Sequence, residues 1–260
     1  MKILQISDLH IMADENDTLL GVNTQYYFQQ VLKQAHLAHG RFDLILVSGD
    51  LAQQPGAASY QRIAQTLLRY DTETLCLPGN HDDFGLMQVQ LNTGLVSCRQ
   101  AMQKQGWQII CLNSQIVDSP AGELADEQLD FLQHSLAAHP QLPCLIAVHH
   151  PCIASGSIWL DTMQIRNSAV LLDVLAQHHQ VKAVTFGHIH QELARQIDGI
   201  WYFAAPATCF EFKPLSVAFA VTDTPPGYRV FQLKSDGTLT SACFRLTEPL
   251  QGLDCRMHGY

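Results

Sequence analysis

The sequence predicts an α/β fold in which two β-sheets pack as a sandwich between outer layers of helices, giving four layers in the order αββα. Short apolar strands alternate with amphipathic helices as far as Phe186, a pattern typical of parallel sheets built from βαβ units. Beyond that point the pattern changes to strands alone, with hairpin signals at Asp198-Gly199 and Asp236-Gly237. We therefore expect the later strands to be antiparallel and to form the second sheet.

Apolar periodicity assigns the elements in order. Residues 2–6 predict a strand, and a helix within 21–40 follows, with Asn23-Thr24 as its N-cap and Gly40 as its stop. The next predicted elements are strand 42–47, helix 57–70, strand 74–77, a helical stretch within 82–105, strand 108–112, helix 125–138, strand 143–148, a loop or cap over 155–167, helix 168–178 and strand 181–186. The final strands are predicted at 192–197, 200–204, 217–221, 228–233 and 238–245.

Chain length and composition favour one main domain. The 260 residues are 47% hydrophobic, which is enough to bury a substantial single core. We expect this domain to span residues 1–250, with a small cap segment around 152–168 and a C-terminal tail over 251–260.

The charge balance and the cysteines restrict the class of protein. A net charge of -9 argues against nonspecific nucleic-acid binding, which depends on basic side chains. An anionic substrate would need a local attraction, such as bound cations. The eight cysteines form no CxxC pair, which favours reduced thiols and a cytoplasmic location. No signal peptide is recognised, and no apolar run reaches the ~18 residues of a membrane span.

Polar side chains follow the ends of several predicted strands. Asp50 comes directly after the buried strand that ends in Val47-Ser48-Gly49, and the carboxyl ends of strands are where open α/β sheets bind ligands. A carboxylate has two oxygens and can bridge two cations. The other donors in this pattern are Asp8, His10, Asn80, His149, His188 and His190. In the Asp-x-His and His-x-His pairs, strand alternation would point the outer residues together and the middle one, Leu9 or Ile189, into the core.

These oxygen and nitrogen donors suit manganese, iron, zinc or cobalt, and they lack the thiolates of a structural zinc site. Two such ions ~3.5–4 Å apart can clamp both the attacking and the leaving oxygens of a phosphate ester. The sequence therefore predicts a two-metal phosphoesterase site bridged by Asp50. His81, one residue beyond Asn80, should face the open side and donate to the substrate phosphate or the leaving oxygen.

The order Asp-x-His, Gly-Asp, Gly-Asn-His, His and Gly-His-x-His resembles the calcineurin-like metallophosphoesterases. The resemblance covers nearly the whole chain and is closer still to the bacterial class III 3′,5′-cyclic AMP phosphodiesterases. Supporting stretches are residues 20–24, 48–53, 77–82, 187–193, 208–214 and 226–229. Trp159-Leu160-Asp161 and Arg166-Asn167 are similar to the segment that covers the substrate pocket in that subfamily.

The resemblance implies how the ligands divide between two divalent or mixed-valence ions, with iron and manganese favoured and zinc or cobalt as alternatives. One ion would be held by Asp8, His10, Asp50 and His190, and the other by Asp50, Asn80, His149 and His188. The implied activity is hydrolysis of 3′,5′-cyclic AMP to 5′-AMP by a metal-bridging hydroxide, with Asp50 and His81 as catalytic residues. The substrate would contact His10, Asp50, Asn80, His81, His149, His190 and Arg166.

Several alternatives stay open at this point. Relatives with the same ligands cleave other diesters, such as glycerophosphodiesters, and a 2′,3′-cyclic nucleotide is a further candidate. A metal-binding scaffold that lost catalysis is a different class of function. His150 and Cys209 are better explained by packing or by orienting a ligand, and Trp159 and Arg166 could equally cap the core. The expected partner is a small cyclic nucleotide, with no nucleic acid or membrane, and the protein would be a monomer or a homodimer.

Overall fold

The computed structural model of the protein describes residues 1–256 and 259. Its strands are β1 (Lys2–Ile6), β2 (Leu44–Ser48), β3 (Thr74–Leu77), β4 (Val96–Ser97), β5 (Ala101–Lys104), β6 (Trp107–Cys111), β7 (Cys144–Ala147), β8 (Val181–Phe186), β9 (Leu193–Ile197), β10 (Ile200–Ala204), β11 (Glu211–Phe212), β12 (Val221–Thr222), β13 (Gly227–Leu233) and β14 (Leu239–Arg245). Its helices are α1 (Thr24–His39), α2 (Ala57–Leu68), α3 (Phe84–Leu91), α4 (Asp126–Ala138), α5 (Ile158–Asp161) and α6 (Ser168–Ala176). Residues 257, 258 and 260 of the predicted tail lie outside the described residues. The division into a domain over 1–250, a cap and a tail stays a prediction.

Two six-stranded sheets form the centre of the molecule, and the predicted α/β class is confirmed. The first sheet has the order β14-β13-β1-β2-β3-β4, and the second has the order β5-β6-β7-β8-β10-β9. Strands β1 to β4 are parallel, as are β6, β7, β8 and β10, while β13, β14, β5 and β9 join antiparallel to a neighbour.

The predicted division of strands between the sheets is wrong. We expected the early strands to form one sheet and the late strands the other, but both sheets contain early and late strands. Strands β13 and β14 extend the first sheet, while β9 and β10 complete the second. Apolar periodicity indicates whether a segment forms a helix or a strand. The sheet that a strand joins depends instead on contacts between distant parts of the chain.

Buried side chains lie on both faces of the sheets. Between the sheets, Leu44 and Leu46 of β2 meet residues such as Leu145 and Phe203 of the second sheet. The alternate residues of β2, Ile45 and Val47, join the core formed with the helices. Strands that are covered on both faces read as continuous apolar runs, which explains the sequence of β2.

Four predicted helices are confirmed as α1, α2, α4 and α6, and the ends of the last three differ from the predicted ends by at most two residues. Asn23 caps α1 by accepting from the backbone N–H of Tyr26, and Gly40 ends the helix with a bond to the carbonyl of His36. The stretch 82–105 was expected to be helical throughout, but only α3 is helical, and β4 and β5 follow it. Similarly, the strand predicted over 217–221 is reduced to β12.

A buried polar bridge joins the two sheets near the carboxyl ends of their central strands. The side-chain amide of Gln5 in β1 donates to Ser48 Oγ at 2.8 Å and to the carbonyl of Phe186 at 3.2 Å. Thr185 Oγ1 in β8 donates back to Gln5 Oε1 at 2.7 Å. These bonds fix the positions of β1, β2 and β8 relative to one another. The loops that follow these three strands carry the candidate site.

Within the described residues, no helix is both long enough and apolar enough to cross a membrane.

Candidate metal centre

The loops after five parallel strands meet at one edge of the sandwich. Asp8, Asp50 and Asn80 follow β1, β2 and β3 of the first sheet. His149 and His188 follow β7 and β8 of the second sheet. The candidate site therefore lies across the ends of both sheets, and each sheet contributes part of the donor set.

Left-handed turns, rather than continued strands, orient most of the candidate ligands. Strands β1 and β8 end at Ile6 and Phe186, before the ligand pairs begin. The left-handed residues are Asp8 (φ 56°), His10 (φ 47°), Asp50 (φ 51°), His188 (φ 65°) and His190 (φ 46°). Such conformations are uncommon outside glycine and cluster at functional sites. The expectation of strand alternation was wrong, although Leu9 and Ile189 do lie in the core as predicted.

The glycines before the ligands allow the loops to approach closely. A Cβ on Gly49 would lie 2.2 Å from Nδ1 of His149, and one on Gly79 would lie 2.2 Å from Oδ1 of Asp50. A Cβ on Gly187 would lie 1.9 Å from Oγ of Ser7. The Gly-Asp, Gly-Asn-His and Gly-His motifs therefore have a steric basis as well as a chemical one.

Three imidazoles are oriented by a hydrogen bond at Nδ1. The rings of His10, His149 and His190 each place Nδ1 against a carbonyl-type oxygen. These oxygens are Gln53 Oε1 at 2.7 Å, the backbone carbonyl of Ser48 at 2.8 Å and the backbone carbonyl of Phe210 at 2.9 Å, respectively. In a neutral ring, donation from Nδ1 puts the acceptor lone pair on Nε2, which is the usual arrangement for a metal-ligating histidine.

One group of donors surrounds the Nε2 atoms of His10 and His190, which are 3.1 Å apart. His190 Nε2 lies 3.5 Å from Oδ1 of Asp8, and His10 Nε2 lies 3.7 Å from Oδ2 of Asp50. Two nitrogens that carry only lone pairs repel each other at this distance unless a cation lies between them. Nitrogens that share one ion at about 2.0–2.1 Å are separated by a similar distance.

A second group forms on the other side of Asp50. His149 Nε2 lies 3.3 Å from Oδ2 of Asp50, and His188 Nδ1 lies 3.1 Å from Oδ1 of Asn80. The ring centroids of His149 and His188 are 5.2 Å apart. Asp50 Oδ2 thus approaches a histidine from each group, which is the position that a bridging carboxylate requires.

Charge is concentrated on Asp50 and His149. Burial opposes ionisation of Asp50, but the adjacent imidazoles of His149, His81 and His10 together outweigh it and hold the Asp50 pKa well below its ordinary value. Burial similarly opposes protonation of His149, yet the Asp50 carboxylate raises the pKa of His149 to about 9. Burial lowers the pKa of both His10 and His188 to about 3. Those two rings are neutral at physiological pH, and neutral imidazole is the form that binds metals.

The donor set fits metal ions. The Nε2 atom of His188 is buried and has no hydrogen-bond partner among the described residues. A buried polar atom without a partner is costly, and a metal ion would satisfy it. Overlapping sets of three donors lie within 4.8 Å of one another, and they include Asp8-Asp50-His149 and His10-Asp50-His81. The predicted seven side chains therefore lie together around Asp50.

The remaining predicted residues occupy the surroundings of this group. His81 is partly buried, its backbone N–H donates to Oδ1 of Asp50 at 2.9 Å, and it lines the adjoining cavity.

Three further residues lie outside the proposed ligand set. His150 is buried with Nδ1 2.8 Å from Ser114 Oγ. Cys209 Sγ lies 3.8 Å from Nδ1 of His190, the nitrogen already bonded to the Phe210 carbonyl, so it packs beside the ligand. Arg166 is exposed, with its guanidinium 3.5 Å from Ser119 Oγ.

Sequence reasoning gave no role to Asp82, which holds two of the ligand loops together. Its carboxylate accepts from the backbone N–H groups of Leu51, Ala52 and Gly79, each at 3.0 Å, and from the Tyr60 hydroxyl at 3.0 Å. The loops after β2 and β3 are therefore tied to each other through one buried side chain. The sequence signal for this role was the presence of an acidic residue directly after the Gly-Asn-His motif. The signal did not reveal the hydrogen-bond partners of Asp82, because most of them come from other parts of the chain.

Comparison with known proteins assigns the family. The sequence model of the calcineurin-like phosphoesterases matches residues 1–192. The chain belongs to the calcineurin-like phosphoesterase family. This confirms the predicted resemblance, and a two-ion centre is consistent with the clustered donors described above.

Named members of the calcineurin-like phosphoesterase family align with the full chain. The 3′,5′-cyclic adenosine monophosphate phosphodiesterase CpdA of Escherichia coli (strain K12) is 38% identical over 261 residues, covering 100% of this chain and 95% of that protein. A 3′,5′-cyclic-nucleotide phosphodiesterase of Nostoc sp. is 38% identical over 246 residues, covering 95% of this chain and 92% of that protein. A dimetal phosphatase from Danio rerio shares the fold with a TM-score of 0.63 at 14% identity, covering 88% of this chain and 94% of that one.

Proposed function

We propose that this protein hydrolyses 3′,5′-cyclic AMP to 5′-AMP with a two-ion metal centre bridged by Asp50. The observation that carries the proposal is the position of Asp50 Oδ2, 3.3 Å from His149 Nε2 and 3.7 Å from His10 Nε2. The choice of substrate rests on the full-length similarity to enzymes that are named for cyclic AMP or cyclic nucleotides.

The proposed ligand sets follow the family pattern. Asp8, His10, Asp50 and His190 would hold one ion, and Asp50, Asn80, His149 and His188 would hold the other. Bound ions would neutralise the phosphate charge and lower the pKa of water, and iron or manganese is the pair that we favour over zinc or cobalt. The Nδ1 bonds of His10, His149 and His190 keep their Nε2 atoms directed at these positions.

The chain's own contribution to the reaction centres on His81. Water adds across the P–O3′ bond, so that phosphorus gains a hydroxyl group and the ribose 3′ oxygen leaves with a proton. We assign His81 to that leaving oxygen or to the phosphoryl oxygens, because it lines the cavity beside Asn80 and its main chain is fixed on Asp50. Arg166 stays a predicted substrate contact, since its present partner Ser119 adjoins the cavity-lining Pro120.

We further propose that a single chain contains the complete centre, so either a monomer or a homodimer would be active. All seven proposed ligands come from one chain and lie around one buried point. The adjoining cavity of about 270 Å³ suits a small molecule better than a nucleic-acid strand. A cytoplasmic location is favoured because all eight cysteines are free thiols.

The experiment that tests this function is a substrate panel with each metal restored in turn. Metal-depleted protein is loaded with iron, manganese, zinc or cobalt. It is then assayed with cyclic AMP, cyclic GMP, 2′,3′-cyclic AMP, a glycerophosphodiester and p-nitrophenyl phosphate. We expect the highest kcat/KM with cyclic AMP. A preference for another diester would overturn the substrate assignment, and no turnover with two ions bound would indicate a scaffold.

A further inference from the structure

The cavity beside the candidate centre has two chemically different faces. One face is formed by the polar side chains of Asp50, Asn80, His81 and His188. The rest of the lining is apolar and is dominated by aromatic rings. The metal chemistry accounts for the polar face only, so the aromatic face needs its own explanation.

Three rings, which we call the aromatic wall, dominate the apolar lining: Trp159 of α5, Phe212 of β11 and Phe219 of the loop before β12. Trp159 packs edge-on against both phenylalanines, with centroids 5.0 Å from Phe212 and 5.4 Å from Phe219. Phe212 also stacks on the His190 imidazole at 4.1 Å and 20°. Phe212 of the aromatic wall is therefore in direct contact with His190, a proposed metal ligand.

The aromatic wall is held in a fixed orientation. Trp159 Nε1 donates to Ser216 Oγ at 2.9 Å, which restricts rotation of the indole. The turn before α5 is fixed by Asp161, whose Oδ1 accepts from the N–H and hydroxyl of Ser155 at 2.7 Å, while Oδ2 accepts from the N–H of Gly156 at 3.0 Å. A ring that is already ordered pays little conformational entropy when a ligand stacks on it.

We infer that the aromatic wall is a base-stacking subsite, with Trp159 as the residue that selects substrates carrying a planar nucleobase. The inference rests on the proposed function, because the phosphate of the same ligand must bind at the polar face. Stacking on an aromatic side chain suits every base, since each base has a π-face. A glycerophosphodiester has no ring to stack on Trp159, so the subsite separates cyclic nucleotides from diesters without a base.

The two segments that carry the aromatic wall are joined at the backbone. The backbone N–H of Ile158 donates to the carbonyl of Ser216 at 2.9 Å, while the Ile158 side chain is 60% exposed and does not line the cavity. Trp159 is therefore held beside Phe212 and Phe219 by the main chain as well as by its ring contacts.

Binding of a matched pair of ligands tests the inference. 5′-AMP and ribose 5-phosphate share the phosphate and the sugar and differ by the base. Their dissociation constants are measured by calorimetry on metal-loaded wild type, Trp159→Leu, Trp159→Phe and Ile158→Ala. The last variant is the control, since it removes an exposed side chain from the same short helix without touching the wall. The KM for cyclic AMP is measured on the same four proteins.

We expect Trp159→Leu to weaken 5′-AMP binding and to raise the KM for cyclic AMP by roughly tenfold, with ribose 5-phosphate unchanged. Trp159→Phe should keep most of the affinity, and Ile158→Ala should resemble wild type. Equal losses for both ligands, or unchanged 5′-AMP binding in Trp159→Leu, would overturn the subsite. If the wild type fails to hydrolyse cyclic AMP, the proposed function fails, while the comparison of 5′-AMP with ribose 5-phosphate still tests the wall.

Discussion

His81 differs from the other imidazoles of the site because it is only partly buried and lines the cavity. Its ring lies edge-on to that of His10 at 5.0 Å, and its backbone rather than its side chain bonds to Asp50. We therefore predict that His81→Ala keeps both metal ions and lowers kcat by about 10²–10³-fold, as loss of a transition-state donor does. Metal analysis and cyclic AMP turnover on the same sample check this, and full activity would remove His81 from the mechanism.

His36 lies on α1, outside the proposed ligand set, and provides a test of pH dependence. Burial lowers its pKa, its Nε2 has no partner among the described residues, and its ring stacks on Tyr70 at 4.1 Å. The unfolded chain therefore binds this proton more readily than the folded chain. Neutral His36 contributes its full stabilisation above about pH 6.5, the ordinary pKa of histidine. This contribution is lost as the pH falls below that value.

We accordingly predict that His36→Phe loses less unfolding free energy than wild type between pH 7.5 and pH 5.5. Phenylalanine keeps a ring against Tyr70 and cannot take up a proton. Urea unfolding at both pH values measures the difference, and Leu37→Ala, an exposed and non-titrating change on the same helix, is the control. An identical fall in stability for His36→Phe and wild type would contradict this assignment.

At this scale the identities of the donors were predictable, and their orientation was not. Asp50 and His149 could be chosen because each follows an apolar strand and belongs to an ordered set of motifs. The partners that fix the imidazole tautomers, such as Gln53 and the carbonyl of Phe210, lie in the supporting stretches 48–53 and 208–214, but the motifs do not show which ring each one bonds. They come from distant positions that only the folded chain brings together.

At the scale of single elements, the turn after β2 depends on Gly49. Its φ is +97°, and a Cβ there would lie 2.2 Å from Nδ1 of His149. Gly199, in the turn between β9 and β10, has a similar φ of +84°, but nothing lies within 4 Å of its virtual Cβ. The two glycines share a positive φ, which an alanine adopts only at a cost, and they differ in the atoms that surround them.

We predict that Gly199→Ala loses about 1–2 kcal/mol of unfolding free energy, the cost of a left-handed alanine, and that Gly49→Ala loses more because its methyl group would overlap the His149 imidazole. Only Gly49→Ala should also lose metal binding and turnover, because the methyl group displaces His149. Chemical denaturation and metal analysis of both variants measure the two effects separately. Normal metal content in Gly49→Ala would show that the contact with His149 is dispensable.

Element types were largely predictable, whereas turn geometry and strand partners were not. The Asn23 cap and the apolar face of α1 gave correct local information. The left-handed conformations of Asp8 and His188 were missed because a short Asp-x-His pattern fits both an extended strand and a turn. Strand β4 was missed because two residues cannot show a period, and β5 was missed because Gln103 and Lys104 leave it without an apolar run.

At the scale of the whole molecule, the site exists only when the two sheets are assembled. The first sheet supplies Asp8, Asp50 and Asn80, and the second supplies His149 and His188. The hydrogen bond from Thr185 Oγ1 to Gln5 Oε1 joins the two sheets near the strand ends that lead into this group. Bound metal should therefore stabilise the assembled sandwich, because the unfolded chain offers no comparable site.

We predict that adding manganese or iron to metal-depleted protein raises Tm by about 5–10 °C at a hundredfold excess over Kd. Thermal unfolding with and without chelator measures the shift. Asp50→Asn, which keeps the size of the side chain, should show a much smaller shift. An equal shift in wild type and Asp50→Asn would mean that the stabilising ions bind elsewhere.

The most direct test of the central claim is the number of metal ions bound per chain after reconstitution and removal of loosely bound metal. Elemental analysis should find two ions per chain in the wild type and at most one in Asp50→Asn, because both sites share that carboxylate. A single ion in the saturated wild type, or two ions at normal affinity in Asp50→Asn, would contradict the bridging role of Asp50.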